Sequence, residues 1–209
     1  TEHTIAADSF GGSAIHVFDV DDDGSFDVVQ ASLEDHTTAW YVNDGAEAFT
    51  KQIINVCSGS CKTRDAYAVD FDGDGDVDVL TATGLDDTVD WYENDGAESF
   101  TKHTLVDKTS SSAYAMKARP ADVDGDGDLD VLVSWALGDY VTWHENDGSF
   151  GFTEHYVGAM DYASFVEPVD LDLDGDVDFL ASGKNAQKVV WYEHDCLAPS
   201  ATPTTAAPS

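Results

Sequence analysis

Apolar residues in this chain come in short runs, and the runs recur. Across residues 66–106 the segments AYAVDF, DVLTATG, TVDWYENDG and SFTKHTLV are rich in β-branched and aromatic side chains and are separated by Gly, Asn and Asp. Runs of this kind, closed by turn residues, predict strands. The pair Asp95–Gly96 predicts a tight turn between the last two. No segment sustains a helical period, so the unit reads as a four-stranded antiparallel meander and the chain as all-β.

The meander occurs four times. An acidic landmark starts at Asp19 (DVDDDGSFDVV), Asp70 (DFDGDGDVDVL), Asp122 (DVDGDGDLDVL) and Asp170 (DLDLDGDVDFL), at spacings of 51, 52 and 48 residues. A second landmark keeps the same spacings: WYVNDG from Trp40, WYENDG from Trp91, WHENDG from Trp143 and WYEHD from Trp191. Two landmarks moving in step indicate tandem duplication. The repeats divide the chain at about 1–50, 51–101, 102–153 and 154–195, followed by 196–209. Four-stranded units of this length predict the blades of a β-propeller. The opening TEHTIA matches TKHTLV at Thr101, a fourth strand, and VVWYEHD closes on a third strand. Sixteen strands offset by one predict closure of the last blade by the first strand. An open stack of blades with free edges, or part of a larger propeller, is the competing architecture.

Charge narrows the partners. With 42 acidic and 9 basic side chains the formal net charge is -33, while 42% of residues are hydrophobic, enough for a core. Such a charge excludes nucleic acid and anionic membrane surfaces as partners. No apolar run approaches the roughly 18 to 20 residues needed to span a bilayer. A start at Thr1 without methionine or a leader suggests a processed protein or a fragment.

The aspartates carry the chemistry. Counting each loop from its first Asp, positions one, three, five and nine are always Asp and position six is Gly. The candidate metal ligands are Asp19, Asp21, Asp23, Ser25 and Asp27 in the first repeat, and Asp70, Asp72, Asp74, Asp76 and Asp78 in the second. In the third they are Asp122, Asp124, Asp126, Asp128 and Asp130, and in the fourth Asp170, Asp172, Asp174, Asp176 and Asp178. Position seven varies between Ser and Asp, as expected where a backbone carbonyl is the donor. Position eight is apolar (Phe26, Val77, Leu129, Val177) and is expected to pin the loop to the core. Hard oxygens without His or Cys select calcium, about one ion per repeat and about four in all. Position twelve holds Gln30, Thr81, Val133 or Ala181 in place of the bidentate Glu, which excludes an EF-hand. The expected role is structural: calcium turns mutual repulsion into a clamp between the first two strands.

DVDGDGDLDVL followed by VTWHENDGSFGFTEH resembles the FG-GAP/VCBS repeat family, and the likeness covers residues 1–195. It implies integrin-α-like calcium-binding propeller repeats in secreted or surface proteins, with fungal lectins among the relatives. It also implies that seven blades are common, so that four blades stand either as a ring of their own or as part of a larger one.

The remaining chemistry is sparse. The repeated Trp40, Trp91, Trp143 and Trp191, with Tyr41, Tyr92, His144 and Tyr192 on the opposite face, are expected to pack between sheets. Sugar stacking is the minority alternative. His3, His103 and His155 are equivalent, and Gln52 at the same position argues against zinc. No nucleophile motif or phosphate loop is found, and no enzyme is expected. Cys57 and Cys61 flank SGS and either form a disulfide, which implies an oxidising extracellular compartment, or stay reduced with Cys196. In the first case Cys196 is left for an interchain bond. The Pro-, Ser-, Thr- and Ala-rich 196–209 reads as an O-glycosylated stalk or a plain linker. Together these residues predict an extracellular, non-catalytic calcium-binding module for adhesion or assembly, with the subunit of an extracellular filament or surface layer as one form of that role. Its partners are further copies or other extracellular proteins, and the alternative is lectin-like recognition of glycans or proteins.

Overall fold

The computed structural model describes residues 1–57 and 61–195; Cys196 and the segment to 209, where an interchain bond and a stalk or linker are expected, lie outside them. Every regular element among the described residues is a strand. The first blade is β1 (Gly12–Phe18), β2 (Asp27–Ser32), β3 (Thr37–Asn43) and β4 (Phe49–Val56). The second is β5 (Thr63–Val69), β6 (Asp78–Thr83), β7 (Thr88–Asn94) and β8 (Phe100–Asp107). The third is β9 (Ala115–Ala121), β10 (Asp130–Trp135), β11 (Tyr140–Asn146) and β12 (Phe152–Ala159). The fourth is β13 (Ala163–Val169), β14 (Asp178–Gly183) and β15 (Val189–Tyr192). Strands pair antiparallel in chain order within each blade, as a meander requires. The chain is thus a four-bladed β-propeller, with three strands in its last blade among the described residues.

Alternation along each strand decides how blades stack. In β3 and β7 the tryptophan faces the following blade, and the neighbouring tyrosine faces the preceding one. Trp40 with Val29 and Ala31 therefore meets Ala66, Ala68, Val79 and Tyr92 of the second blade. Trp91 with Leu80 and Val89 meets Ala115, Ala118, Val131 and Val133 of the third. Trp143 with Leu132 and Val141 meets Ala163, Val166, Phe179 and Ala181 of the fourth. The same apolar sandwich is built three times, and its tryptophans are 0, 3 and 8% exposed.

The inner strands carry a charged pin. Asp65 on β5 is buried and accepts hydrogen bonds from Lys117 Nζ at 2.7 Å and from Arg119, both on β9. Arg119 also reaches Glu167 on β13 at 3.2 Å and lies over the Tyr67 ring. His16 on β1 stacks on Tyr67 and accepts the Ala68 N–H at Nδ1. One network thereby ties all four first strands, and each buried charge in it has a partner.

Blade junctions are latched differently. At the second and third, Asp87 and Asp139 accept the backbone N–H of Tyr114 and Tyr162 at the start of the next blade. The first junction has His36 in that position, and there a disulfide joins Cys57 to Cys61.

Two expectations change. Residues 1–11 form no strand, so they do not complete the fourth blade. Glu2 to Ala6 instead lie along the outer face of the first blade, beside Ile15, Val17 and Tyr41, where Ser9 Oγ bonds Gln30 at 2.7 Å. The inner strands pack β1 on β5, β5 on β9 and β9 on β13, with no comparable contact between β13 and β1 among the described residues. The four blades of the propeller therefore follow one another in an arc, and among the described residues the outward faces of the first and last blades are uncovered.

Burial decides the cost of losing each tryptophan. Trp40→Ala is expected to destabilise the protein by about 3–5 kcal/mol, whereas Trp191→Ala, at the open end and 39% exposed, costs about 1 kcal/mol or less in the monomer. Urea unfolding of the two variants checks this, and equal losses would contradict the packing scheme.

Candidate metal centres

Each acidic loop connects the first and second strands of a blade, so all four lie at the same end of the propeller. The loops are curled by their own carboxylates. Asp70 accepts the N–H groups of Gly73 and Gly75 at 2.9 and 3.1 Å, and Asp122 those of Gly125 and Gly127 at 2.8 and 3.1 Å. Asp19 holds Asp23 and Gly24, and Asp170 holds Gly175. Positions three and five bond the N–H two residues on, as in Asp72 to Asp74 and Asp74 to Asp76.

This curl brings oxygens together. One oxygen each from Asp19, Asp21 and Asp23 falls within 4.8 Å of the other two, as do those of Asp122, Asp124 and Asp126. In the second and fourth blades the triplets are Asp70, Asp72, Asp78 and Asp170, Asp172, Asp178. Asp74 and Asp174 lie outside these triplets. Three position-seven side chains turn away: those of Ser25, Asp76 and Asp128 lie against Gly45, Gly96 and Gly148 of the following turn. The backbone carbonyl is then the part of position seven left for a donor role.

Position nine has a second task. Asp27, Asp78, Asp130 and Asp178 are at most 1% exposed. In every blade one oxygen accepts the N–H of loop position two (Val20, Phe71, Val123, Leu171). The other accepts the N–H at the end of the third strand or just beyond it (Asn43, Asn94, Asn146, His194). Asp27 takes the Trp40 indole N–H as well, at 2.9 Å. The asparagine side chains donate to Phe26, Val77 and Leu129 carbonyls. The acidic loop and the NDG turn are one hydrogen-bonded unit, which is why their spacings match.

Two loop details differ from expectation. Phe26 at position eight is 70% exposed, so that position does not pin every loop; position two does so in three blades, through Val20, Phe71 and Val123. Alternation explains it, since residues two and nine share the buried side. Position four is left-handed in all four loops, at Asp22, Gly73, Gly125 and Leu173, which two non-glycine copies concealed.

The donors fit a hard divalent cation. All are oxygens, and the Oδ1 atoms of Asp21 and Asp170 are buried without a hydrogen-bond partner. Burial, reinforced by neighbouring carboxylates, raises the pKa of Asp21, Asp72, Asp124 and Asp172. Burial likewise raises Asp130, and lifts Asp78 to about 6. Asp178 goes the other way: burial pushes it up, but hydrogen bonds from His194 and Leu171 bring it below its usual value. A cation between these carboxylates relieves the repulsion.

A second recurring group went unseen in the sequence. His103 stacks on Trp91 with ring centres 4.7 Å apart and bonds Glu93 at 2.7 Å; His155 does the same with Trp143 and Glu145, at 4.4 and 2.6 Å. Phe150 from the third blade covers the other side of Trp91, so a groove lined by Asp72, Glu93, Lys102 and His103 runs between the blades. Gln52 breaks the pattern in the first blade and hid it.

Comparison with known proteins agrees with this geometry. The profile of the FG-GAP-like repeat matches residues 19–81 and 70–133, together more than half of the chain. No curated protein matches. Among solved structures, one similar chain is a lectin of Agrocybe aegerita, described for its specific recognition of non-reducing terminal N-acetylglucosamine. It shares 18% identity at a TM-score of 0.59, over 85% of this chain and 52% of the lectin. This chain therefore spans about half of that lectin's length.

Leu173 is 85% exposed and left-handed, so Leu173→Gly is expected to raise stability by about 1 kcal/mol, read by thermal melting. Acidification tests the loops. With a folded pKa of about 6, above its unfolded value of 3.8, Asp78 takes up its proton before the unfolded chain does. Its contribution is therefore fully present below the unfolded value and is lost as pH rises through about 6. Metal-free protein therefore gains stability from it between about pH 6 and 4. Melts in EGTA across this range should show this contribution rising as pH falls, and Asp78→Asn should remove it.

Proposed function

The chain belongs to the FG-GAP-like repeat family, and from that premise we propose that it is an extracellular, non-catalytic calcium-binding propeller module serving adhesion or assembly. The observation that carries this reading is the recurrence, in all four blades, of three carboxylates converging within 4.8 Å on a loop already curled by its own backbone. The carboxylates that hold the ion are those of positions one and three in every blade, joined by Asp23 and Asp126 in the first and third blades and by Asp78 and Asp178 in the second and fourth. Calcium supplies the positive charge that lets the first and second strands of a blade leave the loop side by side. The disulfide between Cys57 and Cys61 supports an oxidising compartment.

Glycan recognition is the second reading, favoured by the Trp–His–Glu grooves between blades and by the lectin likeness. Trp91 and Trp143 are almost fully buried, so a sugar there would meet the polar rim and the exposed half of each histidine more than an open indole face. That places it second to the structural role.

Calcium titration of the EGTA-stripped protein should give about four ions by calorimetry, and chelation should lower the melting temperature by well over 10 °C. A melt unchanged in excess EGTA would sink the calcium reading. Asp70→Asn combined with Asp72→Asn should remove one ion and leave the others, which separates site loss from unfolding. Titration with N-acetylglucosamine in calcium tests the second reading, which requires a shift in tryptophan fluorescence.

A further inference from the structure

The two ends of the arc are the two halves of the interface that the molecule builds three times inside itself. At the first blade, Ile15 and Val17 occupy the strand positions of Ala66 and Ala68 in the second blade, which are buried against Trp40. Here they are 69 and 52% exposed. At the fourth blade, Val189 and Trp191 occupy the positions of Val89 and Trp91, which are 0 and 3% exposed against the third blade. Here they are 71 and 39% exposed. A face built to receive a tryptophan stands at one end, and a face presenting one stands at the other.

A missing strand points the same way. Among the described residues the fourth blade has no strand beyond β15, and residues 196–209 contain no FTxH pattern like the one that opens β8 and β12. Residues Thr1 to Ala6, TEHTIA, carry the fourth-strand sequence and form no strand where they lie. Within this sequence His3 is the counterpart of His103 and His155, each of which stacks on the tryptophan of its blade and bonds the glutamate two residues after it. The corresponding residues of the fourth blade are Trp191 and Glu193, whose own sheet contains no fourth-strand histidine.

We propose that a second copy of this chain docks head to tail, its Ile15/Val17 face covering Val189 and Trp191 and its Thr1–Ala6 segment pairing with β15 as the missing strand. This deepens the assembly reading above and rests on it. Among the described residues the same chain does not provide the cover, because β1 and β13 are not packed together and Thr1–Ala6 lies on its own blade. Such a contact is heterologous: two copies close a ring if the rotation allows, and otherwise the contact repeats along a filament.

Light scattering of the full chain in millimolar calcium tests the contact. The expected mass is about twice the 22.4 kDa of one chain, or a higher multiple, falling on dilution. Ile15→Glu and Trp191→Asp change exposed residues, and each alone should give monomer. Mixed one to one they should recover a dimer, because each retains the face the other has lost. If Trp191→Asp fails to fold, Val189→Asp replaces it. A wild-type monomer at every concentration overturns the proposal, as does an oligomer that survives both changes or fails to reappear on mixing. Melts of the same samples in EGTA and calcium report separately on the ions: a calcium-shifted melt with monomeric mass refutes docking alone, and an unshifted melt refutes the calcium reading whatever the mass.

Discussion

The structure depends on a buried carboxylate. The ninth residue of each acidic loop holds the loop's second residue with one oxygen and the end of the third strand with the other. A charged or even protonated carboxyl in that position is costly to bury unless its acceptor sites are filled, and here they are filled by backbone. The loop is therefore closed at its base before any ion arrives. What remains, the carboxylates of positions one, three and five, projects from a frame already shaped. Exchanging Asp78 for an apolar residue would orphan two backbone N–H groups in the core, a different kind of loss from removing a ligand.

From that frame follows the stacking. Fixing where the first and third strands leave the loop fixes which face of each strand is front and which is back, because side chains alternate. Tryptophan then goes forward and tyrosine or histidine back in every internal blade, and the interfaces repeat. The stability of such a molecule approximates a sum over blades and junctions. Its end blades each lack one junction, which accounts for the exposure of Ile15, Val17, Val189 and Trp191 in residues whose internal counterparts are buried. The charged pin of Asp65, Lys117, Arg119 and Glu167 adds direction: it fixes which inner strands are neighbours.

Much of this was legible because it repeats. Strand positions and the loop aspartates recur at fixed spacing, and coincidence does not survive four copies. What escaped was of two kinds. The pin is assembled from single residues on three different strands, none of them repeated, so no period marks it. The left-handed position four and the Trp–His–Glu group do repeat in space, but Asp22, Leu173 and Gln52 interrupt the residue type that would have announced them. The N-terminal segment shows a further limit. TEHTIA carries the sequence of a fourth strand, yet a strand needs an edge to pair with, and the arc leaves the edge of β15 at its far end.

Charge connects the ions to the ends. Acidic loops of adjacent blades face each other: Asp21 and Asp22 share a cleft with Asp76 and Glu98, and Asp70, Asp72 and Asp74 share one with Asp128. The first and second junctions therefore each bring together two clusters of like charge, and in a chain of net charge -33 the apolar sandwich forms there against that repulsion. About four calcium ions, bound as proposed, would reduce the charge to about -25 and place the neutralisation where the loops converge. A junction between two copies would set the loop of Asp170 beside that of Asp19, as the internal junctions set their own neighbours. Ion binding and end-to-end docking then favour each other, and by linkage the coupling is equal in both directions. The aspartates that stabilise a blade would in that way also control whether its open face can be covered.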